Sequence, residues 1–156
     1  MKLSRNLSLG EFTNSQTAKR RGIDNTPTEE HLEAAKVLAE NIFQPIREHF
    51  GCPIYISSGY RSEALNEAIG GSKTSQHSKG EAIDIDMDYR KGPDNEEIFF
   101  FIRDNIDFDQ MIWEFGDADR PDWVHVSYNS DGKQRGQILA AKRNSKGKTY
   151  YEPWSE

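Results

Sequence analysis

Apolar residues recur at helical spacing through residues 29–50, EEHLEAAKVLAENIFQPIREHF, where Leu32, Ala35, Leu38, Ala39, Ile42 and Ile46 form one stripe. Thr26 is positioned to cap this helix, Pro27 to take its first position and Glu29 to reach back as a capping-box acid. Pro45 lacks an N–H and should kink the helix, and Gly51 should end it. Residues 53–61, PIYISSGYR, are rich in β-branched and aromatic side chains and predict a strand. A short helix, SEALNEAI, follows and is closed by Gly70 and Gly71. The segment AIDIDMD alternates strictly: Ile83, Ile85 and Met87 take one face, while Ala82, Asp84, Asp86 and Asp88 take the other. Asp94 or Asn95 can cap a helix EEIFFFIRDN. Two further strands are predicted at FDQMIWEF and WVHVSY, and a hairpin in QILAAKRNSKGKTYYEPW. Helices followed by mostly sequential strands predict an α+β fold, a small and mainly antiparallel β-sheet flanked by helices.

Composition narrows the function classes. A chain of 156 residues is long enough for one real hydrophobic core, and no repeat, low-complexity tract or linker divides it. One domain over 1–156 is expected, with 1–25 as an N-terminal arm and 129–156 as a C-terminal hairpin or tail. The net charge of −6 argues against a nucleic-acid partner, which needs a basic face; the basic run Lys133 to Lys148 reads as a solvated hairpin. No apolar run approaches the roughly 18 residues of a membrane span. The start MKLSRNLSLGEF has no apolar stretch of signal-peptide length, so synthesis in the cytoplasm is expected. Cys52 is the single cysteine, which excludes an internal disulfide and suggests a small packing residue.

The chemistry concentrates in SQHSKGEAIDID, where His77 precedes Asp84 by seven residues and a turn leads directly into a strand. A carboxylate-bearing strand face repels itself unless it is wet or holds a cation. In DWVHVSY, His125 shares a face with Trp123 and Ser127, opposite Val124 and Val126, and can supply a third ligand. Two imidazole nitrogens and one carboxylate oxygen suit Zn²⁺ with a fourth position left for water. A base must then take the proton of that water. Asp122, three residues before His125, leads; an odd offset within a strand would turn it away, so it works only if Pro121-Asp122 is still a turn. Glu114 is second. Asp86 could orient a ligand histidine, Asp88 reads as solvated, and His31 and His49 as surface or capping groups. A cysteine hydrolase pairing Cys52 with His77 or His125 lacks any flanking group that would lower the thiol pKa.

The blocks SGYRS, SQHSKGEAIDID and DWVHVSY resemble the motifs of the zinc D-Ala-D-Ala carboxypeptidase and L-alanyl-D-glutamate endopeptidase family, within the hedgehog-like zinc peptidase group. Its pattern is Ser-x-His-x6-Asp followed by an acid-x-x-His pair. The resemblance implies His77, Asp84 and His125 as zinc ligands, Asp122 as acid/base, Arg61 as the residue that steadies substrate or developing charge, and Ser75 as a substrate contact. It spans most of residues 8–128 and extends to short phage- or prophage-borne members. It implies a zinc-dependent, endolysin-like peptidase that cuts peptidoglycan stem peptides after release to the cell wall, by either carboxypeptidase or endopeptidase action. The alternative on the same fold is a non-catalytic zinc-containing cell-wall-binding or signalling module. Physical chemistry supports the role of Arg61, since a planar guanidinium fork grips a carboxylate bidentately. Its other possible role is a structural ion pair. Ser75 could simply cap its turn, and Trp123 could exclude water from the site.

Overall fold

The structure, a computed structural model, describes residues 1–156. It opens with a small hairpin of β1 (Lys2–Ser4) and β2 (Leu7–Ser8), then α1 (Leu9–Thr13) and α2 (Gln16–Arg21). Ser8 and Glu11 cap α1 reciprocally. Leu3, Leu7 and Phe12 from this segment are buried in the same apolar cluster as the main helices.

The long helix begins later than its sequence predicts. α3 runs Glu29–Leu38, and Thr28, not Thr26, is its cap, with Oγ1 accepting from the His31 N–H at 3.2 Å. Glu29 is thus the first helical residue, too early to reach back to the cap; Thr26 instead donates its N–H to Asp24. The helix then widens into a π-turn, Ala39–Phe43, before α4 (Gln44–Phe50) and a left-handed Gly51. The wider turn absorbs the donor that Pro45 lacks, so the helical path continues past the proline.

The remaining elements are β3 (Ile56–Ser58), α5 (Glu63–Ala68), a 3₁₀ turn at Gln76–Lys79, β4 (Ala82–Ile85), α6 (Asn95–Asn105), β5 (Gln110–Glu114), β6 (Trp123–Ser127), β7 (Gln137–Arg143) and β8 (Thr149–Pro153). Strands β3 to β8 form one sheet in the order β3-β4-β6-β5-β7-β8, antiparallel throughout except where β7 joins β5 in parallel. The α+β architecture with a mainly antiparallel sheet is therefore present.

The two faces of this sheet divide the labour. Ile83, Ile85, Val124, Val126, Met111, Trp113 and Ala140 point into the core, where they meet Leu38, Ile42, Ile98, Phe99 and Ile102 of the helices. Each large apolar side chain buried there contributes about 1.5–3 kcal/mol of transfer free energy. Strict alternation sends Asp84, His125, Ile112 and Glu114 to the opposite, uncovered face.

Candidate metal centre

Asp84 on β4 and His125 on β6 are direct cross-strand partners, so their side chains leave the uncovered face side by side. His77 reaches the same point from the 3₁₀ turn ahead of β4. Ser75 shapes that turn by accepting the His77 N–H at 3.2 Å, and Gly80 closes it at φ 75°. A Cβ at Gly80 would lie 2.4 Å from the His31 carbonyl oxygen, so only glycine lets the turn rest on α3.

The SGYR segment fixes the His77 ring. His77 Nδ1 donates to the Gly59 carbonyl at 2.7 Å, and the Arg61 N–H donates to the His77 carbonyl at 3.2 Å. With Nδ1 carrying the proton, Nε2 is directed at Asp84 Oδ1, 3.2 Å away. His125 Nδ1 approaches the same oxygen at 2.9 Å. All three side chains are almost wholly buried, at 3%, 6% and 9% exposure for His77, Asp84 and His125, so solvent does little to screen their convergence. Burial opposes ionisation of Asp84, but the charge and hydrogen bonds of the two imidazoles more than offset it and hold the carboxyl well below the usual carboxylate range.

The donor set fits a metal ion. One atom from each of His77, Asp84 and His125 lies within 4.8 Å of the others, the only such grouping of potential ligands in the chain. Two imidazoles and a carboxylate match zinc in ligand type and number. The Nδ1–H···O=C bond from His77 to Gly59 is the outer contact that fixes the tautomer of a metal-binding histidine.

The other sequence-predicted residues divide. Arg61 comes to the site: its terminal nitrogen is 3.5 Å from Asp84 Oδ2, and its Nε donates to Ser58 Oγ at 3.2 Å. Ser75 lines the same cleft. Glu114 also faces it, from β5 opposite Trp123. Burial pushes the Glu114 carboxyl up to about 7; the charges of His125 and Arg61 partly counter this, and that of Asp84 adds to it. These residues and the three candidate ligands line an open cleft of about 920 Å³.

Asp122 is not brought to this cluster. Pro121 and Asp122 do lie outside β6, in the bend before Trp123, but the Asp122 N–H donates to the Glu114 carbonyl at 2.9 Å and its side chain does not turn to the cluster. Three residues from His125, its side chain is exposed and lines a separate groove of about 1,120 Å³ with Phe100, Trp113 and Trp154. Nor does Asp86 orient a ligand histidine. β4 ends at Ile85, and Asp86 accepts instead from the Asn95 amide at 3.3 Å and from the Asp88 N–H at 3.0 Å. Asp88 is exposed. His49 is exposed and stacks on Phe101, whereas half-buried His31 bonds the Tyr60 hydroxyl at 2.9 Å and ties α3 to the SGYR segment. Cys52 is half-buried and packs against the apolar core cluster, which contains neither site histidine.

Two supports of the site escaped sequence reasoning. Gly59 has a close neighbour: a Cβ there would sit 2.3 Å from the Phe12 carbonyl oxygen, so glycine is needed for the loop that holds His77. Buried Asp109 accepts three hydrogen bonds from Arg135, at 3.0, 3.0 and 2.8 Å, and one from Gln76 at 3.1 Å, joining the segment after β6 to the His77 turn. The acid in FDQMIWEF and the arginine in the basic tail were both visible, but nothing local linked them.

A buried cluster of two imidazoles and a carboxylate in an open cleft, with a carboxyl raised by burial lining the same cleft, is the equipment of a zinc hydrolase. The family model for Peptidase M15 matches residues 5–127, and the chain belongs to this family of zinc-dependent metallopeptidases. No curated protein matches the chain.

Proposed function

We propose that this chain hydrolyses an amide bond in the peptide stems of peptidoglycan, with zinc held by His77, Asp84 and His125. The observation that carries the reading is the convergence of these three donors in a cleft that Glu114 and Arg61 also line. Zinc in such a set lowers the pKa of water towards about 7 and polarises a carbonyl oxygen.

Glu114 takes the acid/base role that the motif pattern assigned to Asp122. Its carboxylate accepts a proton from the water whose oxygen bonds to the scissile carbonyl carbon. The protonated carboxyl then gives that proton to the leaving amine nitrogen as the C–N bond breaks. A carboxyl held up to about 7 suits both halves of this cycle near neutral pH. Arg61, anchored by Ser58 and close to Asp84, offers its remaining N–H groups to a substrate carboxylate or to charge developing at the carbonyl oxygen. Ser75 contacts substrate from the rim of the His77 turn, and half-buried Trp123 limits water at the reacting carbonyl. No helix is long and apolar enough to cross a membrane.

The test is digestion of purified muropeptides with and without a chelator, with new termini identified by mass spectrometry. Zinc should bind one ion per chain, and chelation should stop cleavage. Glu114→Gln should keep its zinc and lose at least ~100-fold in kcat, while Asp122→Asn should stay within a few-fold of the parent. The reverse pattern would return the proton-transfer role to Asp122. Zinc binding without cleavage of any stem peptide would make this a binding module.

A further inference from the structure

The hairpin β7–β8 lies beyond the residues matched by the family model, yet it forms one side of the cleft through Leu139, Thr149 and Tyr151. Glu114 on β5 is paired with Ala141 on β7, and Ala141 in turn with Tyr151 on β8. The three residues form one row across the uncovered face. A strand spacing of about 4.8 Å sets the Tyr151 backbone roughly 10 Å from that of Glu114. Between them stands the small, buried side chain of Ala141.

Tyr151 is not spent on packing. It is 56% exposed despite facing a cleft lined by buried charged groups. After burial, the negative charges of Glu114 and Asp84 are what push its phenol above the ordinary range, and no hydrogen bond from the protein contributes. Ser72, Thr74, Gln76 and Arg135 also line this cleft.

We infer that Tyr151 is a substrate-binding residue: its ring packs on the peptide segment that lies in the cleft, and its hydroxyl bonds to the backbone of that segment. The enzyme then favours stem peptides long enough to reach Tyr151. This rests on the peptidase reading above.

The experiment uses synthetic stem-type peptides lengthened one residue at a time from each end. For zinc-loaded protein, kcat/KM should rise about tenfold or more with extension at one end. Tyr151→Phe should remove about five- to tenfold of that gain, and Tyr151→Ala nearly all of it, chiefly through KM. Melting temperatures of both variants check that the hairpin still folds. A second measurement needs no turnover: binding of the same peptides to chelator-treated protein, followed by tryptophan fluorescence. There the preference for long over short peptides should collapse towards unity in Tyr151→Ala. Equal losses for long and short peptides, or no loss for either, would overturn the inference. Tyr151-dependent binding with no cleavage by the parent protein would support the subsite while removing the peptidase reading. Cleavage whose length preference ignores Tyr151 would do the opposite.

Discussion

Replacing Glu114 with glutamine removes a titrating group whose folded-state cost can be estimated from its surroundings. Burial raises this carboxyl from an ordinary 4.5 to about 7, so in the metal-free protein its ionised form is disfavoured by folding. The stabilisation of the protonated form is complete below about 4.5 and is lost as pH rises through about 7. A shift of this size corresponds to about 3 kcal/mol in full, of which some 2–3 kcal/mol falls between pH 5 and pH 8. Glutamine has the same shape and no charge to bury. Urea unfolding of metal-free parent and Glu114→Gln proteins, monitored by tryptophan fluorescence at both pH values, isolates this contribution, because the imidazoles titrate in both chains. The variant should gain about 2–3 kcal/mol on the parent between pH 5 and pH 8, and saturating zinc should shrink the gap by giving the carboxylate a nearby cation. A stability difference unchanged by pH would refute the claim that Glu114 is buried against its own charge, and with it the proton-holding role.

Two other substitutions probe the supports of the site. Asp84→Asn should weaken zinc binding by more than ~100-fold in competition with a chromophoric chelator, since it neutralises the one anionic donor facing both imidazoles. Gly59→Ala forces a methyl group to within 2.3 Å of the Phe12 carbonyl oxygen and should cost about 1–3 kcal/mol in urea unfolding; because the Gly59 carbonyl holds His77, zinc affinity should fall with it.

The metal donors were legible because two alternating segments, AIDI and WVHV, each put one ionisable residue among apolar neighbours, and the turn before the first carried a histidine. Asp122 shows where such reading ends. It lies outside β6, as its role required, yet a backbone bond to the Glu114 carbonyl fixes the bend, and that bond belongs to register between strands. Asp86 and Asp88 continue the alternation on paper, but Asn95 bonds both of them together with the Pro121 and Asp122 carbonyls, and the strand stops before them. The tail reads locally as a hairpin. That it docks in parallel on β5, carrying Tyr151 towards the cleft, is a long-range choice with no local signature. At Pro45 the missing donor was plain from sequence, whereas the widened turn that accommodates it depends on how the flanking helices pack.

Asp84 and His125 are held opposite each other by the ladder of two neighbouring strands inside a six-stranded sheet. They behave as fixed jaws, because no loop motion can part them without tearing the sheet. His77 alone rides on a short coil, latched by one carbonyl and one amide of the SGYR segment. Metal exchange should therefore involve this turn and leave the two strands at rest.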